Sequence, residues 1–233
     1  MLTGITVLAL LVLDGVALAG MVTVGNLGVF WTVVSMPVLH NLFSAFLMRI
    51  LAQAFPVSEG SYQPGSRDYN NWQARAFLAC LSCNYFDQFV PVLLKAQWYR
   101  LFGGRIARNA RIAGRILDCT LVEIGSGALV GFDSLIMAHY ELNGTLCIGR
   151  VRLEEGAVVG SRAVVLPGVT VEDGAIVGAC ALVVANRRVP AGEIWGGVPA
   201  RKKELNPVRD PALESIGGKG NGQHVLAQTS NLV

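Results

Sequence analysis

Aliphatic residues recur at every sixth position from Ile106 onward. Ile106, Ile112, Ile124, Val130, Ile136, Leu142 and Ile148 keep one phase, broken only by Asp118. The phase then slips by one residue and resumes as Leu153, Val159, Val165, Val171, Val177, Val183 and Val189. Four positions after the anchors of the second run stand Ala157, Ala163, Val169, Ala175 and Ala181, and the position just after an anchor is often Gly or Ala. A period of six fits neither an α-helix nor a simple alternating strand. It fits a solenoid of short parallel strands joined by tight turns, with each anchor pointing inward and the residue four later at a narrow corner. At about eighteen residues per coil, residues 106–189 give between four and five coils, enough to stack into a continuous core. Bulky Tyr140 falls on a tight inward position. A bulge or short loop is therefore expected around residues 137–143.

The pattern upstream is different. Residues 1–51 carry two formal charges, Asp14 and Arg49. The stretches 2–24 and 27–51 are each long and apolar enough to span a bilayer. Gly25, Asn26 and Gly28 supply a turn between them, so a transmembrane helical hairpin is expected over 1–55, with Pro37 kinking its second helix. Asp14, inside the first span, either has a functional role or pairs with a polar neighbour such as His40; we take the pairing. Arg49 at the end of the second span, with Arg67 and Arg75 beyond it, places both termini on the cytoplasmic side. Residues 56–70 read as a turn-rich linker. Residues 71–102 read as helices broken at Pro91 and rich in aromatic residues, which suit the membrane surface or the base of the next domain. The expected organisation is a hairpin (1–55), linker and juxtamembrane helices (56–103), a β-helix (104–204) and a polar tail (205–233).

Composition narrows the function classes. Of 233 residues, 52% are apolar and 15% charged, too greasy on average for a soluble domain and too charged for a wholly membrane-embedded one. The net charge of +3 and the lack of zinc-finger or RNA-binding motifs argue against nucleic acid as a partner. Five cysteines, an odd number with three alone inside repeats, read as reduced thiols. Cys80 and Cys83 form one C-x-x-C, whose plain reading is helix packing, with palmitoylation a further option. No metal is expected: a zinc hydration enzyme on such a fold needs three histidine ligands, and the repeat has one histidine.

The repeat, the stretch ValGlySerArgAlaValValLeuProGlyVal at 159–169 and the ending ValProAlaGlyGluIleTrpGlyGlyValProAlaArgLysLys at 189–203 resemble the hexapeptide-repeat acyltransferase family. The resemblance covers roughly residues 104–204. It implies a left-handed parallel β-helix, a homotrimer and acyl transfer from acetyl-CoA or another acyl-CoA used as co-substrate. The order of spans, the segment at 95–108 and the β-helix also resembles the C-terminal membrane module of poly-lysine-type peptide synthetases. That leaves an amide-forming module fed by a carrier thioester as an alternative, and a non-catalytic trimeric membrane scaffold as another.

Acyl transfer needs a base for the acceptor's proton, and histidine suits it. Of His40, His139 and His224, only His139 lies in the repeat. The family's catalytic histidine occupies a similar place, so the resemblance assigns it the base. Glu141 is the expected partner fixing its tautomer, with Asn143 and Asp133 as alternatives. A backbone N–H from a neighbouring coil would stabilise the oxyanion. The resemblance places the pantetheine arm along Gly160, Ser161 and Ala179, and the phosphates near Arg201 with Lys202 or Lys203. Val158, Val184 and Ala185 depart from soluble sugar acetyltransferases of the family, which often carry Trp and a Thr-Lys pair there. The basic series Lys95, Arg100, Arg105, Arg108, Arg111 and Arg115 faces anionic headgroups, an anionic substrate or solvent. The anchor makes membrane lipid a partner and a lipid-linked or sugar-like acceptor the expected substrate.

Overall fold

The computed structural model describes residues 25–204, together with residues 12, 14–16 and 19. The expected first span, 2–24, lies otherwise outside the described residues, as does the tail 205–233. Helix α1 (Gly25–Ala54) takes in the expected second span, and it already includes Asn26 and Gly28, which are helical rather than a turn. Its segment Ser35–Ala54 has a mean hydropathy of 1.2, long and apolar enough to cross a membrane. Val38, Leu39, Leu42, Phe46 and Ile50 on this helix are exposed. The imidazole Nδ1 of His40 lies 3.2 Å from a carboxylate oxygen of Asp14, the pairing expected from sequence.

The linker is not all turn. Strand β1 (Gly60–Tyr62) forms within it, and Ser66 then caps helix α2 (Arg67–Ala79), its hydroxyl accepting from the Tyr69 amide. A π-turn at Cys80–Asn84 and a 3₁₀ turn at Asp87–Phe89 follow, and helix α3 (Val92–Leu101) starts directly after Pro91. Tyr99, Phe102 and Ala96 are buried against the first coil, while Tyr85, Phe89, Leu93 and Leu94 are exposed. One face of the aromatic segment thus packs on the base of the solenoid, as expected, and the other is exposed. Lys95 is not part of a headgroup-facing basic series. It is buried, its ammonium 2.9 Å from Asp87 Oδ2, and it also donates to the Gly114 carbonyl. The Tyr99 hydroxyl donates to Asp87 Oδ1 at 2.6 Å and accepts from the Ile116 amide. This satisfied network fastens α3 to the base of the solenoid.

The solenoid has three flat faces. The first stacks β2 (Arg105–Ile106), β5 (Val122–Ile124), β10 (Val151–Leu153), β13 (Thr170–Val171) and β16 (Arg188–Val189). The second stacks β3 (Arg111–Ile112), β6 (Leu129–Val130), β11 (Val158–Val159), β14 (Ile176–Val177) and β17 (Ile194–Gly196), closed by antiparallel β18 (Arg201–Lys202). The third stacks β4 (Arg115–Ile116), β7 (Leu135–Ile136), β12 (Val164–Val165) and β15 (Leu182–Val183). Pairing between successive coils is parallel, so each strand's backbone groups are met from above and below. Anchors such as Ile112, Val130, Val159 and Val177 are buried, as are the corner alanines Ala128, Ala157, Ala163, Ala175 and Ala181. Burying each Val or Ile contributes about 1.5–3 kcal/mol.

Two departures from the six-residue count have local causes. Ile116, not residue 118, is the inward anchor of the first coil, paired with Ile136. The turn before β4 is shortened, and a 3₁₀ turn at Cys119–Leu121 restores the phase, which sets Asp118 at the corner instead of in the core. The slip after Ile148 is an inserted hairpin, β8 (His139–Leu142) and β9 (Thr145–Ile148). Leu142, expected as an inward anchor, is exposed near its tip. Strand β1 pairs antiparallel with β9, so the linker supplies the third strand of this small sheet.

Candidate active site

The hairpin leaves the solenoid at the corner between the third and first faces. Asn143 and Gly144 form its two-residue loop, with φ of 50° and 72°. Both values suit the turn type that matches strand twist, and Asn-Gly is its favoured sequence. His139 is the first residue of β8, and Asp118 occupies the same corner one coil below. Leu117 donates its amide to the Ile136 carbonyl, and the Ala138 amide donates to Asp118 Oδ2 at 3.1 Å.

This stacking brings His139 Nδ1 to 2.5 Å from Asp118 Oδ2. An ionised carboxylate only accepts, so Nδ1 carries the proton and Nε2 presents its lone pair. The Asp118 carboxylate is nearly buried, and its other oxygen accepts from the Trp72 indole N–H at 3.3 Å. The Trp72 ring lies against the imidazole, centroids 4.7 Å apart and tilted by 55°. Carboxylate, imidazole and indole thus fix one another, and Trp72 comes from α2, outside the solenoid. Arg75, one turn further along α2, is buried beside Asp118. Burial holds its guanidinium below the ordinary arginine value, opposed by the Asp118 carboxylate.

Glu141, the partner expected from sequence, lies exposed on β8, and Asp118 occupies the position it was assigned. Of the alternatives, Asn143 is in the hairpin loop, and Asp133 is at another corner, 3.6 Å from Arg162. The signal for Asp118 was present in the sequence as the one polar residue on an anchor position. Trp72 carried no signal, because nothing local relates residue 72 to residue 139.

The residues expected to hold the thioester donor lie at the corner between the second and third faces. Gly160 and Ser161 are directly below Ala179: a Cβ on Gly160 would sit 2.5 Å from the Ala179 nitrogen. The Cys180 amide donates to the Ser161 carbonyl. The amides of Ser161 and Ala179 have no backbone partner among the described residues. Arg201 and Lys202 lie on the closing strand of the second face. Lys202 is 2.6 Å from Glu193, and Arg201 donates to the Ala200 carbonyl. The structure therefore groups Gly160, Ser161 and Ala179, sets Arg201 and Lys202 at the end of the adjoining sheet, and places His139 at a different corner. Among the described residues there is no cluster of His, Cys, Asp and Glu that could hold a metal ion.

No family model matches the sequence, and no curated protein matches it. Solved structures do. One is a hexapeptide-repeat-containing acetyltransferase from Vibrio cholerae O1 biovar eltor complexed with acetyl-CoA: 14% identity, 66% of this chain and 97% of that one, TM-score 0.48. Another is a galactoside acetyltransferase in complex with coenzyme A: 14% identity, 67% and 90% coverage, TM-score 0.44. A third is a maltose O-acetyltransferase from Clostridium difficile 630: 11% identity, 70% and 86% coverage, TM-score 0.37. The structural neighbours of this chain are hexapeptide-repeat acetyltransferases.

Proposed function

We propose that this chain is a membrane-anchored acyltransferase that moves an acetyl or other acyl group from a CoA thioester to a hydroxyl or amine. The observation that carries the reading is the imidazole of His139 held through Nδ1 by a nearly buried carboxylate. In the reaction, Nε2 takes the acceptor's proton as its oxygen or nitrogen attacks the thioester carbonyl. Asp118 stabilises the imidazolium so formed and keeps the ring in place. The tetrahedral species collapses with loss of the thiolate, and the imidazolium returns the proton to that sulfur. No covalent enzyme intermediate forms.

In this reading the amides of Ser161 and Ala179 hold the pantetheine arm beside Gly160, and Arg201 with Lys202 meets the phosphates. The donor strip and His139 are on different corners of one solenoid. A site combining them is built between copies, in keeping with the homotrimer that the sequence resemblance implies. The anchor is α1, with the catalytic domain on the cytoplasmic side.

The test is thioester consumption by the full-length chain in detergent over a panel of hydroxyl and amine acceptors, with His139→Ala alongside. Turnover lost in His139→Ala with the fold intact supports the reading. Turnover unchanged in His139→Ala overturns the assignment of the base, and absence of CoA binding by the folded wild-type protein overturns the donor.

A further inference from the structure

At the junction of α1, α3 and the first coil there is a cavity of about 540 Å³. Arg49, Arg75, Arg100, Arg105 and Arg150 line it, and none of its lining residues is acidic. Two of these arginines are neutralised at the rim: Arg105 pairs with Glu123 at 2.8 Å, and Arg150 with Glu123 at 3.2 Å and Glu59 at 3.6 Å. The other three have no carboxylate in ion-pair contact among the described residues. Arg49 is fixed by donating to the carbonyls of Arg100 and Leu101. Arg75 is 7% exposed, and its Nε and Nη2 are buried without a hydrogen-bond partner among the described residues. Buried guanidinium nitrogens are ordinarily paired, because an unmet buried charge is costly. A wall of forked cations around an uncompensated interior is the geometry that binds a phosphoryl group.

The cavity's position says where that group comes from. Arg49, Ala52 and Gln53 belong to the last turns of the segment long and apolar enough to cross a membrane; with that segment as the anchor, the opening stands at headgroup level. Arg75 also borders the cleft formed with Trp72 and Asp118, whose carboxylate holds His139. One guanidinium therefore links the cavity to the catalytic corner.

We propose that this arginine cavity binds the phosphate or diphosphate group of a membrane-borne amphiphile, and that this amphiphile is the acyl acceptor. The phosphoryl group supplies the counter-charge that Arg75 lacks at the cavity wall and meets Arg100 and Arg49, with its apolar chain in the bilayer beside α1. The binding stands on its own. Only the role of the ligand as acceptor rests on the acyl-transfer reading.

The test is thermal unfolding of the detergent-solubilised full-length chain with farnesyl diphosphate, farnesol, inorganic pyrophosphate and CoA as separate probes. The expected result is a saturable rise in Tm with farnesyl diphosphate and none with farnesol. Arg75→Gln and Arg100→Gln should each weaken that binding roughly 10- to 100-fold, while Arg111→Gln, outside the cavity, leaves it unchanged. Pyrophosphate binding as tightly as farnesyl diphosphate would keep the phosphate site and overturn its membrane source. CoA displacing farnesyl diphosphate from the cavity would assign the arginines to the donor and overturn the acceptor role. A saturable effect surviving in both folded arginine variants, or no effect in the wild type, would overturn the site. Because none of these readouts uses turnover, failure here is separable from failure of the acyl-transfer reading.

Discussion

Replacing Asp118 with asparagine keeps the size of the side chain and removes its charge. The carboxylate accepts from His139 at 2.5 Å, from the Ala138 amide at 3.1 Å and from Trp72 at 3.3 Å. An amide has one accepting oxygen. His139 Nδ1 and the Ala138 amide share Oδ2 while Trp72 takes Oδ1, so the asparagine amide either keeps its oxygen on the first two and sets its NH₂ against the indole N–H, leaving the imidazolium without its counter-charge, or turns its NH₂ toward Nδ1, which must then accept, so that the imidazole proton moves to Nε2. Either way the ring keeps its place and is the poorer base. Removing a partner that sets tautomer costs about 10²- to 10⁴-fold in kcat, with little effect on KM. The assay is initial-rate thioester release at saturating acceptor, with circular dichroism to confirm the fold. Glu141→Gln is the internal comparison, since that exposed side chain should leave kcat within about threefold of wild type. Asp118→Asn retaining near wild-type kcat, or Glu141→Gln showing the larger loss, would refute the assignment of Asp118 as the positioning carboxylate.

Further outcomes follow from the same geometry. Lys95→Met strands the buried Asp87 carboxylate and should cost about 3–5 kcal/mol, lowering Tm by roughly 6–20 °C in a thermal scan, with part of the loss recovered in the double variant Lys95→Met, Asp87→Leu. Gly160→Ala would drive a methyl group against the Ala179 backbone, and a denaturation series should show a loss of about 1–3 kcal/mol. Burial pushes the Cys83 thiol well up, so mass spectrometry after brief alkylation at neutral pH should find exposed Cys80 labelled and Cys83 untouched in the native protein. The hydrogen bond from Lys202, then that from Trp195, holds the Glu193 carboxyl below its ordinary value. A depressed carboxylate stabilises the fold above its unfolded value and loses that contribution as pH falls through the folded one. An NMR titration should therefore place the Glu193 midpoint below the ordinary carboxylate, and Lys202→Ala should raise it.

The solenoid was legible because its repeat is local: each anchor and each corner alanine sits at a fixed distance from the next. The inserted hairpin was less so. Leu142 and Ile148 kept the six-residue phase by coincidence, and they masked an Asn143–Gly144 turn signal that the strand pairing explains. Asp118 was visible as a break, but its role depends on which residue stacks one coil above, and that required the shortened turn before β4. Lys95 was misplaced because a cation beside a membrane reads as surface until a buried acid, here Asp87, is seen to meet it. Strand β1 is too short to signal itself and exists only by pairing with β9. Contacts made across the boundary between anchor and solenoid were the ones a linear reading could not supply.

Trp72 has a consequence for how this protein can be divided. The repeat ends its claim on the sequence near residue 104, yet the ring that flanks His139 is contributed thirty-odd residues earlier, and β1, earlier still, borders the strand that returns from the hairpin. A solenoid cut free at the start of the repeat would lose the indole that packs on its own His139. Recombination that swapped the anchor for another would have to carry α2 along or rebuild that contact. The structural unit is therefore a single piece running from β1 to the closing strand, and α1 is tied to it as well, through Arg49 on the Arg100 and Leu101 carbonyls.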